Sequence, residues 1–486
     1  MIGHEIKIHD KKQFEIKLHY ALNGKKRKGE YFVETYFFVP HTLGINHHSF
    51  HKKNFYDSVK NYIRLATPEF TLAELIHSED SPLRKLFQLL EEGKGLNEED
   101  LGQEFEHRLK LFCATMAGTV GKEATAIYQQ KKGEGFRKDI IRFFNYVEEL
   151  LESYRRVEAQ LFERKDEKLI FSFGDEYLSL LVEKHLLRIL NFYEKNFEKN
   201  IQIREIILDF LKKEIKRREE RGYRSIVRED SSNEEMLFRF SALKKYFSSV
   251  LSLDADVERE GTILEHVLFG IAAGIAMIFA TAAAFWGKSA FGTYTMPFFI
   301  LLVISYMFKD RIKELMREIL KKSVFKYLFD YKYKLYVEEK HKVGIIRESF
   351  DFVQQRQLLK NVWKLRQVGK TPEFDNKFQK EKIILYRKKI NLKSRFFKKH
   401  NEEGFYGLSD IFRFDVTRFL SKMDDPSKPL FALTKDGYKL IYGKRVYHVN
   451  LILRIVRNKS NEELKRFRLI LTREGIDRIE PVLENN

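Results

Sequence analysis

A chain of 486 residues, 43% hydrophobic and 33% charged with only 8 prolines, is long enough to bury two or three cores and too apolar to be disordered. Its single cysteine, Cys113, excludes an intramolecular disulfide framework, and no Cys/His spacing resembles a zinc finger or a redox CxxC. The net charge of +19 is unevenly placed: residues before Val267 hold 45 Lys and Arg against 46 Asp and Glu, whereas those from Lys309 onward hold 43 against 24. An anionic partner is therefore expected for the C-terminal part.

Met1 to Phe14 has no uninterrupted apolar run, which argues against a signal peptide or a leading anchor. The first forty residues alternate as strands, HEIKIH, QFEIKLHYAL and YFVETYFFVP, with a basic turn opened by Asn23-Gly24 between the last two. Histidines gather at His41, His47, His48 and His51. On a helix His47 and His51 would stand one turn apart, which makes His47, His48 and His51 a weak metal candidate, but no HExxH motif accompanies them and a polar surface loop accounts for them as well. From Phe55 the apolar Val59, Tyr62 and Ile63 fall on one helical face, and the chain to Tyr223 reads as helices broken near Gly93, Gly133 and Gly174.

Two adjacent stretches, Val267 to Trp286 and Ser289 to Phe308, each run twenty residues without a charge, enough to cross a hydrocarbon core of about 30 Å as a helix. The second is expected to become helical only near Pro297. Basic residues flank both outer ends and only Lys288 lies between the spans, so the positive-inside rule places both termini in the cytoplasm. In the first span Ala272, Ala276, Ala280 and Ala284 recur every fourth residue, and Gly270 and Gly274 form a GxxxG step, a spacing that lets helices approach closely within the hairpin or between copies. Neither span has an internal ionisable residue, so an anchor is the simpler role; Thr281 and Ser305 are the lining groups an oligomeric pore would use.

Helices are expected on both sides of the hairpin, one through Met236, Phe240, Leu243 and Phe247 and one through Ile312, Leu315 and Ile319, pairing as a stalk. The second is basic: Lys309, Arg311, Lys313, Arg317, Lys321 and Lys322 are candidate contacts to anionic headgroups or an acidic protein. From Lys382 alternation returns in KIILY, DIFRFDVTRFL, KLIYGKRVYHVNLILRIVR and KRFRLILTREGI, with turns at Lys435-Asp436-Gly437 and Tyr442-Gly443-Lys444. The basic run from Lys377 to Lys399, with Arg387, Lys388 and Lys389 at its centre, adds candidate anion contacts, nucleic acid ranking below lipid or protein because no nucleic-acid module is present. Gly287-Lys288-Ser289 and Gly133-Glu134-Gly135 fail the phosphate-loop and dinucleotide patterns, and Asp254-Ala255-Asp256 is too short a match to assign a metal.

The expected fold class is therefore α+β, mainly helical, with one transmembrane hairpin. The domains read as an N-terminal strand region (1–45), a helical domain (46–232), a juxtamembrane helix (233–262), the hairpin (263–308, with spans 267–286 and 294–308), a basic juxtamembrane helix (309–340) and a basic antiparallel β domain (341–486). The leading functional expectation is a membrane-anchored cytoplasmic binding or scaffold protein without a cofactor. An oligomeric pore and a membrane-associated enzyme whose site is invisible in sequence are the alternatives.

Overall fold

The computed structural model describes residues 4–22, 28–92, 97–129, 135–161, 164–196, 201–325, 328–338, 340–369, 381–400, 402–435, 437–458 and 461–482. The Asn23-Gly24 turn, Gly93, Gly133-Glu134, Lys377 and Asp436 lie outside them. The described chain is a mixed α+β structure in which every sheet is antiparallel.

The strands are β1 (His4–Ile8), β2 (Gln13–Ala21), β3 (Lys28–Pro40), β4 (Val59–Leu65), β5 (Asp254–Arg259), β6 (Tyr331–Val337), β7 (His341–Val353), β8 (Glu381–Lys393), β9 (Gly407–Asp415), β10 (Ser427–Thr434), β11 (Gly437–Lys444), β12 (Tyr447–Arg457), β13 (Asn461–Thr472) and β14 (Gly475–Val482). One sheet has the order β1-β2-β9-β4, a second has β14-β13-β12-β3-β8-β7-β6-β5, and β10-β11 form a separate ribbon. N-terminal and C-terminal strands thus share both large sheets, so residues 1–45 are no separate region. Alternation dictates the faces: Phe14, Ile16, Leu18 and Tyr20 of β2 point into one core with Val33 and Phe37 of β3 and Leu451 and Leu453 of β12.

Helix α1 (Lys52–Ser58) packs Phe55 into the sheet core, whereas α2 (Leu72–His77), α3 (Pro82–Glu92), α4 (Glu98–Gln129), α5 (Gly135–Arg155), α6 (Lys165–Asn196), α7 (Ile201–Glu220) and α8 (Glu234–Ser248) build a second core beside the sheets. Four expectations are corrected. Val59 to Leu65 is a strand, because its pairing with β9 (Val59 opposite Phe414, Ile63 opposite Asp410) overrides a short helical spacing. Gly174 breaks nothing: α6 runs through it, and a side chain there would press into Tyr154, whose hydroxyl donates to the Phe171 carbonyl at 2.8 Å. The helix before the hairpin does not pair with the one after it; Leu243 and Phe247 of α8 are buried in the helical core, Phe247 stacking on Tyr177 with centroids 5.3 Å apart. The segments assigned to juxtamembrane helices end as strands instead, since β5 pairs with β6 in register Asp254–Tyr336 to Arg259–Tyr331.

The two large sheets are clamped by a buried charge cluster. Lys388 Nζ of β8 lies 2.8 Å from Asp410 Oδ2 of β9 and 3.3 Å from Glu348 of β7. Tyr20 donates to Asp410 at 3.1 Å, and Asn61 donates to Glu348 at 3.0 Å. Burial, offset only in part by Lys388, raises the Glu348 carboxyl above its ordinary range. Removing the cation alone strands Asp410 in a dry core: Lys388→Met should cost about 3–5 kcal/mol in urea unfolding of the full chain, and a loss below about 1 kcal/mol would show that the clamp carries no such burden.

Candidate functional site

Between β5 and β6 the chain leaves the sheet edge as an antiparallel helical hairpin, α9 (Thr262–Phe291) and α10 (Met296–Phe325). Its base is closed by Glu260 N–H donating to the Asp330 carbonyl at 3.2 Å. Among the described residues one helix is long and apolar enough to cross a membrane, α9, with a mean hydropathy of 2.2 over its best window and only 17% of that window buried. Expected second-span residues Ser289 to Phe291 belong to α9, and the charge-free part of α10 is thirteen residues, Met296 to Phe308, about 20 Å at 1.5 Å per residue. The hairpin's large side chains face outward: Ile278 is 71% exposed and Phe285 70%. Such a face, uninterrupted by charge, is not that of a core helix.

Within the hairpin the alanine stripe lies on the packed side. Ala272 and Ala276 are buried, Ala280 and Ala284 are half-buried, and the Ser305 hydroxyl reaches the Ala280 carbonyl at 3.5 Å, so Ser305 faces the partner helix of its own hairpin. Gly270 and Gly274 are exposed with open space around them. The closest approach is at Gly287, where any side chain would press into Leu301; sequence spacing did not single it out.

The basic candidates separate by position. Lys309 sits 3.8 Å from the Tyr306 ring centroid, Arg317 covers the Phe269 ring at 4.7 Å, and Arg311 pairs with Glu314 at 3.4 Å on an exposed face; Lys313 is half-buried. The side chains of Lys321 and Lys322 lie outside the described residues. In β8 the expected surface contacts are corrected: Lys388 is the buried clamp, Lys389 pairs with Glu30 at 2.6 Å, and Arg387 donates to the Ser349 hydroxyl at 3.0 Å. Strand alternation turns every second residue of this basic run inward or onto a neighbouring strand.

The histidines form no helical pair, because α1 starts only at Lys52. His47 and His48 stack at 3.9 Å between centroids, and His47 and His51 line a cavity of about 230 Å³ whose Asp330 is already bound by Lys52 and Tyr56. Asp256 pairs with Lys334 at 3.5 Å along the β5–β6 ribbon. Among the described residues, no three His, Cys, Asp or Glu side chains are placed to hold a metal ion.

Two larger cavities remain. One of about 850 Å³ lies between α3–α4 and residues 396–405, lined by His107, His341, His400, Glu402 and Glu403 with compensating Lys85 and Arg108. Its lining has no hydroxyl or thiol nucleophile, and its best-defined contact is structural: His107 Nε2 lies 3.1 Å from Glu403, joining the helical body to the sheets. The other, about 860 Å³, opens on the outer face of the four-stranded sheet beneath α8 and is lined by six Lys or Arg against a single carboxylate, Glu15.

The hydrogen bond to Glu403 raises the His107 pKa above its ordinary 6.5, against the opposing effect of burial. Its contribution is therefore complete below that value and is lost as pH rises through the higher folded one. Both side chains are about one-third exposed, which limits the pair to about 0.2–1 kcal/mol. The melting-temperature deficit of His107→Asn should accordingly shrink from mildly acidic to alkaline pH, and a pH-independent deficit would contradict it. No protein-family model, curated protein or solved structure matches this chain.

Proposed function

We propose that this is a membrane-anchored binding protein whose helical and β bodies are held on one face of a bilayer by the α9–α10 hairpin. The observation that carries this reading is the outward apolar surface of a hairpin whose two legs emerge from one sheet edge. In water that surface would be left unburied; in hydrocarbon it needs no partner. α9 matches a core of about 30 Å, and the shorter apolar part of α10 is completed by Lys309, Arg311 and Lys313 reaching toward the near headgroups. Because the legs leave one edge, both flanking bodies lie on the same side, the cytoplasmic one by the distribution of basic residues.

Full-length protein should stay in the pellet after alkaline carbonate extraction of membranes. A chain in which residues 262–328 are replaced by a two-residue turn, closing the ribbon where Glu260 already meets Asp330, should be released. Release of the full-length chain would refute the anchor.

The β10–β11 ribbon supplies a second contact with the same leaflet. In its register Pro429 pairs with Tyr442, Phe431 with Leu440 and Leu433 with Tyr438, giving an apolar patch beyond the Ser427–Lys444 pair on the same face, on which Leu433 is 91% exposed. Lys428, Lys439 and Lys444 stand on the ribbon and Arg445 follows it; Lys444 pairs with Asp477 and Arg445 with Asp424 at 2.9 Å. Apolar tip and basic rim are the complement of an anionic headgroup region. In the hairpin-deleted chain, Phe431→Ser with Leu433→Ser should weaken partition onto phosphatidylglycerol-containing vesicles at least about tenfold; equal partition would remove the ribbon from the interface.

A further inference from the structure

The six cations of the larger basic groove converge from separate parts of the chain: Lys7 on β1, Lys17 on β2, Arg64 on β4, Lys244 and Lys245 on α8, and Arg413 on β9. The lone carboxylate is already taken. Glu15 lies 2.7 Å from Arg413 and 3.3 Å from Lys7, and these contacts outweigh its burial and hold it below the ordinary carboxylate range. Lys17 and Arg64 lack such compensation. Among the described residues neither makes an ion pair, and the Arg64 Nε is shielded from solvent without a hydrogen-bond partner. Burial first, and then the positive charge of Arg64, lower the Lys17 ammonium, and the same two cations help burial push neighbouring His19 down to about 4. The groove therefore gathers positive charge that one engaged carboxylate does not offset, with Lys17 and Arg64 half-buried, an arrangement that a bound anion relieves.

We propose that this groove binds a phosphate ester, with Lys17 and Arg64 holding the phosphate and Lys244 and Lys245 screening it from the rim. Two cations on one face of the sheet, Lys17 and Arg64, match a dianion better than a monocarboxylate, and a guanidinium edge presents donors at the spacing of phosphate oxygens. The volume of about 860 Å³ suits a small ligand or a single headgroup rather than a polymer. Tyr62, half-exposed and with the Arg413 guanidinium 5.0 Å from its ring centroid, and Tyr333 provide aromatic surface for the rest of the ligand, beside Ile63 and Leu253. The groove is adjacent to the hairpin through Ala255 on β5 and Tyr333 on β6, but its chemistry does not depend on the anchor.

The test uses the full chain in neutral detergent, titrated with inorganic pyrophosphate, and separately the full chain in nanodiscs of phosphatidylcholine with or without phosphatidylglycerol, thermal stabilisation being read in each. Stabilisation by pyrophosphate identifies a soluble phosphate ester; stabilisation only by phosphatidylglycerol identifies a lipid headgroup. Either response should weaken about tenfold to a hundredfold in Lys17→Gln with Arg64→Gln, and measurably in Lys244→Gln with Lys245→Gln, whose exposed positions leave folding intact. No stabilisation in either medium, or an undiminished response in both double variants, overturns the proposal. A chain that binds pyrophosphate yet is released by carbonate would sink the anchor and leave the groove standing.

Discussion

The separation and register of the two large sheets rest on the buried contact between Lys388, Asp410 and Glu348. A lysine carried by β8 is neutralised by carboxylates on β9 and β7, so it engages both layers at once, and Tyr20 and Asn61 occupy further lone pairs of the acids. Sliding β8 by one residue would bring Arg387 or Lys389 inward and expose Tyr386 and Ile390, which makes the register unusually well determined. With that register set, the opposite face of the four-stranded sheet carries Glu15, Lys17, Arg64 and Arg413 in one patch. The far edge of the eight-stranded sheet carries β5 and β6, from which the hairpin leaves. The places of the groove and of the apolar hairpin thus both follow from how the two sheets are stacked.

Charge read along the chain and charge read in space give different answers here. The C-terminal excess, 43 Lys and Arg against 24 acids, reads as a single basic surface, yet at its centre Lys388 is buried between carboxylates and the half-buried Lys389 and Arg387 are engaged by Glu30 and Ser349. The groove draws five of its six cations from the part of the chain whose net charge is near zero, because strand alternation sorts Lys7, Lys17 and Arg64 onto one face while acids nearby in sequence point elsewhere or are already paired. Net charge by segment predicts solubility and long-range field; it does not locate a binding site, since the sheet decides which side chains meet.

Much of the architecture was legible where one period ran long enough. The apolar helix, the N-terminal alternation and the C-terminal strands are present where the sequence places them. The misreadings fall where a local pattern was short or had two meanings. Val59, Tyr62 and Ile63 fit a helical face over a few residues, and only the distant β9 decides otherwise. Tyr331 to Val337 reads YKYKLYV, a clear period of two, but it was absorbed into the charged helix before it. Gly174 and Gly287 look like a breaker and part of a failed loop motif, whereas each is small because another side chain, Tyr154 or Leu301, occupies the space. The Lys17–Arg64 juxtaposition had no sequence signal at all, as its members are forty-seven positions apart.

A helical hairpin inserted between the edge strand β5 and its neighbour β6 has its base beside the groove, as insertion into a remote loop would not. β5 is an edge strand, and its continuation into α9 is tied to the start of β6 by the Glu260 to Asp330 hydrogen bond and by ion pairs from Lys332 and Lys334 to acids of β5. Tyr333 and Leu335, which line the basic groove, lie on the same ribbon within four residues of the base pairing between Arg259 and Tyr331. The wall of the cationic cavity and the base of the hairpin are thus built on the same two strands, β5 and β6.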